Sequence, residues 1–195
     1  MVKTPGISFR ILACLLLAWT GCVKDRPHPV SQSGSLPGPN GILMLNEGAY
    51  GMNNAELSYL QLSDYTLQNN LFQQFNGKKL GDVAQDLQQI GAYYYVTLNN
   101  SGCLSILDTA SLQEVKRIEG LVYPRYIRQV NADEAYVTCL YAKKFYVVNL
   151  QTQTISAEIA TEYSNTENIL VHGGSVYVST WDTASPYVYK FNAQT

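Results

Sequence analysis

The sequence predicts an all-β fold, a β-propeller of four-stranded blades, on three observations. Residues Tyr95-Val96-Thr97 recur as Tyr136-Val137-Thr138 and again as Tyr177-Val178-Ser179, each copy 41 positions after the last. The next strand keeps step: Leu104, Ile106, Leu107 and Asp108 return as Phe145, Val147, Val148 and Asn149, and then, two positions late, as Val188, Phe191 and Asn192. Within each period, apolar and polar residues alternate in short runs separated by turn residues, the pattern of half-buried strands. A repeat near 40 residues with strands inside it is the signature of a propeller.

The chain begins with Lys3 and Arg10 ahead of an apolar run, Ile11 to Ala18, too short to span a bilayer. That is the layout of an export signal. The run closes on Leu17-Ala18-Trp19-Thr20-Gly21-Cys22, which resembles a bacterial lipobox and makes Cys22 the candidate acylated first residue; ordinary signal cleavage is the alternative. Residues 23–40 are rich in Pro, Ser and Gly without apolar periodicity, the composition of a flexible tether. The expected organisation is therefore a lipoprotein signal peptide over 1–21, a lipid-anchored tether over 22–40 and a partial propeller over 41–195.

The most complete period reads as four strands, Tyr126–Val130, Glu134–Leu140, Lys144–Leu150 and Ile155–Ala160, inner to outer. The unit before it maps onto Ala84–Ile90, Tyr93–Leu98, Leu104–Asp108 and Gln113–Ile118. The first unit offers three strands, Ile42–Leu45, Leu57–Leu62 and Leu67–Phe72. The last offers Asn168–Val171, Val176–Thr180 and Tyr187–Phe191. Propellers avoid exposed sheet edges by closing a ring, so the chain is expected to cover about three and a half blades of a ring of about seven, a fragment or truncated product with an open edge after Phe191. No Gly-His with Trp-Asp pair per blade and no kelch spacing is present. The strand type resembles that of bacterial surface-layer and quinoprotein-like propellers.

A net charge of −2 and a pI near 5.6, with no basic run beyond Lys78-Lys79, argue against nucleic-acid binding. Cys103 and Cys139 fall in or beside neighbouring strands and either pair or stay as buried thiols. His28 and His172 lack partners at ligand spacing. Asp82 and Asp86, with Glu47 and Glu167, leave only a weak case for a carboxylate pair, and Gly48 and Gly51 precede no helix that would make a phosphate cradle. No cofactor and no metal site is expected, and the chain does not read as an enzyme. Asp108-Thr109-Ala110 and Asp182-Thr183-Ala184 match a glycosylation triplet of exported Bacteroidetes proteins, at Thr109 and Thr183.

In a four-stranded blade the second-to-third and fourth-to-first loops share one rim. The other rim carries short, ordinary turns such as Asn131-Ala132-Asp133 and Thr109-Ala110-Ser111. The first rim is dressed with aromatics, amides and charge: Tyr50, Asn53, Asn54, Asn99, Asn100, Arg125, Tyr141, Glu167 and Trp181 are the candidate ligand contacts. Such a set suits a ligand with flat apolar faces and many amide-like groups.

Leu45-Asn46-Glu47-Gly48, Asn53-Asn54-Ala55-Glu56-Leu57-Ser58-Tyr59, Asn76 to Asp86, Asn99-Asn100-Ser101-Gly102, Pro124-Arg125-Tyr126-Ile127 and Leu140-Tyr141-Ala142 together resemble the exported β-propeller lipoproteins of Bacteroidetes of the DUF5074 type, most of all those that capture vitamin B12 at the cell surface. The resemblance implies an outer-membrane, surface-exposed lipoprotein that binds a corrinoid on one rim and hands it to a TonB-dependent transporter. The sequence departs from it in carrying about half a ring and in having Cys139 where a polar residue is expected. A non-catalytic surface propeller that contacts protein or glycan is the alternative; a lyase or hydrolase on the same chassis would need a catalytic histidine or metal cluster.

Overall fold

A computed structural model describes residues 37–193 apart from Thr183 and Ser185. Cys22, the signal peptide and most of the tether lie outside the described residues. The rest folds as four antiparallel sheets, each a blade. Blade I holds β1 (Gly41–Asn46), β2 (Glu56–Gln61) and β3 (Leu67–Gln68). Blade II holds β4 (Ala84–Ile90), β5 (Tyr93–Leu98), β6 (Cys103–Asp108) and β7 (Glu114–Glu119). Blade III holds β8 (Pro124–Gln129), β9 (Glu134–Cys139), β10 (Lys144–Asn149) and β11 (Thr154–Ala160). Blade IV holds β12 (Thr166–His172), β13 (Ser175–Thr180) and β14 (Val188–Asn192). Each strand pairs with its sequence neighbour, the meander expected of propeller blades, and the all-β propeller reading is borne out.

The Tyr-Val-Thr echo has a physical meaning. Successive side chains on a strand point to opposite faces, and blades II and III each pack on a neighbour at both faces. Val96 and Val137 face the preceding blade, in the cores of seams I/II and II/III, while Tyr95 and Tyr136 fill the following seams, II/III and III/IV. All four are essentially inaccessible. Burying a valine or a tyrosine in such a seam contributes about 1.5–3 kcal/mol. The threonine completes the motif: Thr97 Oγ1 donates to the Arg125 carbonyl (2.6 Å) and Thr138 Oγ1 to the Glu167 carbonyl (2.5 Å), each reaching the inner strand of the next blade.

Blade I departs from expectation. Its third strand was expected over Leu67–Phe72, but β3 ends at Gln68, Asn70 turns left-handed (φ 58°), and a short helix α1 occupies Leu71–Asn76. Leu71, Phe72 and Phe75 recur at helical rather than alternating spacing, which lets all three enter the seam I/II core. The Glu56 carboxylate satisfies the helix start, accepting from the Phe72 N–H (3.0 Å) and the Gln73 N–H (2.9 Å). Gly77, left-handed at φ 66°, closes the other end by donating to the Gln73 carbonyl.

Cys103 and Cys139 are free and buried, so of the two readings the unpaired thiols hold. Burial pushes both up to about 11, which keeps them protonated and inert at neutral pH.

Candidate functional site

The inner strands β4, β8 and β12 lie side by side, and each is entered in the same way. A residue in left-handed conformation precedes it: Val83 (φ 55°), Tyr123 (φ 40°) and Asn165 (φ 63°). The carbonyl of each accepts the N–H of the residue just past the second strand of its sheet, from Asn99 (2.8 Å), Leu140 (3.1 Å) and Trp181 (2.8 Å). Left-handed backbone is costly for a β-branched or bulky residue. Here the bond to the second strand holds it, and two residues later the chain enters the inner strand at Gln85, Arg125 and Glu167.

Those three side chains form one lateral relay across three blades. Arg125 Nε donates to Glu167 Oε2 (2.8 Å) and Nη2 to Glu167 Oε1 (2.5 Å), a bidentate fork, while Nη1 donates to Gln85 Oε1. Burial alone would pull the Arg125 guanidinium down, but the Glu167 hydrogen bonds and charge outweigh it and raise it, with a further contribution from Glu47. One step inward, Asp86 Oδ2 accepts from the Ile127 N–H (3.0 Å) and Arg128 Nη1 (2.5 Å), and the Arg125 and Arg128 guanidiniums lie 5.7 and 5.8 Å from the centre of the Tyr126 ring. Arg125 and Glu167 were expected in loops. They sit on strands, a sturdier mounting.

The 47–54 loop of blade I is held from blade II. The Gly51 N–H and Asn100 Nδ2 both donate to Asp82 Oδ2 (2.9 and 2.7 Å), and the Asp82 N–H donates to Ser101 Oγ (2.8 Å). Within the loop Asn54 Oδ1 accepts the Ala49 N–H (2.8 Å). Gly48 permits this closure, since a Cβ there would stand 2.7 Å from the Ala55 nitrogen at φ +78°.

The structure therefore brings the nine candidate residues to one rim and sorts them into two kinds. Asn54, Asn99, Asn100, Arg125 and Glu167 are tied to other protein groups; Asn99 is buried and donates to the Pro124 carbonyl (3.1 Å). Tyr50, Tyr141 and Trp181 stand in solvent, 73%, 66% and 60% exposed, and Asn53 is exposed at the same loop's turn. Tyr141 is steadied by an edge-on contact with Tyr123 (5.1 Å, 88°) and by its N–H donating to Asn165 Oδ1 (2.9 Å). Tyr163 and Tyr187 add a second aromatic pair, with ring centres 4.4 Å apart. Sequence reasoning missed Gln85 because it lies 40 residues before Arg125 while Glu167 lies 42 after it, so a strict 41-step frame does not superimpose them.

On the opposite rim several turns are organised from within, although Asn131 Nδ2 donates to the Ala193 carbonyl of blade IV (3.1 Å) and Lys116 Nζ to the Thr152 carbonyl of blade III (2.8 Å). Asp108 Oδ1 accepts from the Ala110 N–H, the Ser111 N–H and the Ser111 hydroxyl, and Asn149 Oδ1 accepts from the Gln151 N–H, the Thr152 N–H and the Thr152 hydroxyl. Asp108 of the glycosylation triplet is thus a turn former, and Thr183 of the second triplet lies outside the described residues. A cavity of about 310 Å³ opens on this side between blades I and II, beside Pro37, Leu43, Tyr59, Tyr94 and Leu112. Among the described residues no group of three or more His, Cys, Asp or Glu is placed to hold a metal ion.

Solved structures share this fold. Hydrazine synthase of Kuenenia stuttgartiensis aligns with a TM-score of 0.60 at 15% identity over 71% of this chain and 40% of its own. A protein of unknown function from Bacteroides caccae aligns at 0.52 and 11% over 72% and 60%, and the WD40 β-propeller domain of Doa1 at 0.51 and 12% over 64% and 40%. The chain spans less than two thirds of each of these structures. No curated protein matches it significantly. The family model described as a domain of unknown function, DUF5074, matches residues 40–195, and the chain belongs to that family.

Proposed function

We propose that the protein is a non-catalytic binding propeller whose dressed rim captures a small molecule rich in carboxamides and flat apolar surface, a corrinoid being the ligand that fits best. The observation that carries this reading is that three large aromatics, Tyr50, Tyr141 and Trp181, stand exposed on the loops of the rim whose inner strands carry the Arg125–Glu167 pair. Ordered loops that hold aromatic side chains in solvent, mounted on a rigid scaffold, are the ordinary make-up of a binding face. Aromatic rings supply broad contact at low entropic cost, and the surrounding amides supply direction.

The lipobox-like Thr20-Gly21-Cys22 supports a lipid anchor on Cys22 and hence an outer-membrane, surface-exposed location, with a TonB-dependent transporter as the receiving partner. Isothermal titration of cyanocobalamin into the full chain tests the ligand. Saturable heat at micromolar concentration upholds it, and its absence removes the corrinoid in favour of a protein or glycan partner. Mass spectrometry of the exported protein tests the anchor, through a diacylglyceryl mass on Cys22.

A further inference from the structure

Gln85 was not among the residues the repeat singled out, yet it stands at the end of the Glu167–Arg125 relay. An amide has a donor end and an acceptor end on one rigid plane. In Gln85 the acceptor end is taken, because Arg125 Nη1 donates to Oε1, and Arg125 is itself held in plane by its two bonds to Glu167. The Nε2 group is therefore turned away from Arg125 and makes no hydrogen bond to the described residues. Gln85 is half-buried at the start of β4, in the position matching Arg125 and Glu167 on the neighbouring inner strands. A donor in that place is left for water or a ligand to satisfy.

Its surroundings select the chemistry. The relay residues Arg125 and Glu167 neutralise one another, and Glu47 adds negative charge close enough to influence Arg125. An anionic acceptor would gain no net attraction from the neutralised pair and would be opposed by Glu47, whereas a neutral carbonyl oxygen escapes that opposition. The amide of Asn100 is fixed in the opposite sense: one hydrogen of its Nδ2 is given to Asp82 Oδ2, and its Oδ1 accepts from none of the described residues. One pinned donor and one pinned acceptor on the same rim match a ligand that offers both, as a primary carboxamide does.

We propose that Gln85 Nε2 is a specificity-determining donor of the rim, held in place by Arg125 and Glu167 as positioning residues, and that it receives the carbonyl oxygen of a neutral carboxamide. This rests on the reading of that rim as a small-molecule binding face. Gln85→Glu is the discriminating variant, since its carboxylate still accepts from Arg125 while the donor becomes an acceptor. Cyanocobalamin affinity is expected to fall about ten- to hundred-fold in Gln85→Glu, with the melting temperature unchanged; equal affinity in the two proteins overturns the proposal while leaving the corrinoid reading intact. If the native chain does not bind cyanocobalamin, the corrinoid reading fails alone, and N-methylacetamide titrated into the isotope-labelled chain decides the donor. A saturable NMR shift of the Gln85 side-chain amide signals, identified by their loss in Gln85→Glu, upholds it, and signals that do not move overturn it.

Discussion

The two rims of the propeller are built from the same repeat and behave differently. On the plain rim a single Asp or Asn organises the Asp108 and Asn149 turns from within, with partners two or three residues away, and few side-chain bonds, such as Asn131 Nδ2 to the Ala193 carbonyl, reach another blade. On the dressed rim the bonds reach between blades: Gly51 to Asp82, Gln85 to Arg125, Arg125 to Glu167. Local turns leave little for a ligand to use. Cross-blade bonds hold loops still while leaving Tyr50, Tyr141 and Trp181 outside the core. A rim becomes a candidate site here by being stiffened from below rather than by being loose.

The largest expected effect comes from breaking that stiffening. Glu167→Ala leaves the half-buried Arg125 without its counter-charge and should cost about 3 kcal/mol of stability in urea unfolding; a loss within about 0.5 kcal/mol would mean that the pair is not structural. On the plain rim, Asn149→Ala removes three exposed hydrogen bonds that water replaces in part, so a loss of about 1 kcal/mol is expected. If Asn149→Ala proves the more damaging of the two, the contrast between the rims is wrong.

Trp181→Ala should change stability by no more than about 0.5 kcal/mol, as for most exposed positions, while weakening ligand binding by tenfold or more. Equal binding by Trp181→Ala would remove Trp181 from the candidate contacts.

The smallest effect is a pH dependence on the plain rim. Asp108 is held below its ordinary 3.8 by the Ser111 hydroxyl and N–H, with the Ala110 N–H adding to them and slight burial opposing. A carboxyl whose folded value is depressed stabilises the fold above its unfolded value and loses that contribution as pH falls through the folded one. Stability should therefore decline below about pH 4 in the native protein, and Asp108→Asn, which keeps an acceptor and removes the titration, should flatten that decline. An unchanged acid profile would show that the turn does not depend on the charged form.

Much of this was legible in the residues because the deciding physics is local. The bounds of β4 and β5 follow from alternation, whereas the helix α1 shows in the sequence only as the spacing of Leu71, Phe72 and Phe75 with Gly77 behind them, a signal shorter than the strand period of the neighbouring blades. The site was legible only as a rim. That Asn99 is buried against Pro124 while Trp181 is open to solvent depends on how one blade meets the next, and no short window of sequence contains both partners.

By itself the sequence determined the repeat, the blade and the division into a plain and a dressed rim, because period-two alternation and turn chemistry act over a few residues. Only the tertiary structure decided which dressed residues are structural and which are free. The Glu167–Arg125–Gln85 relay joins positions 40 and 42 residues apart, and its polarity is set by geometry between blades: a guanidinium locked by one carboxylate takes the oxygen of an amide and leaves the amide's nitrogen without a bond to the described residues.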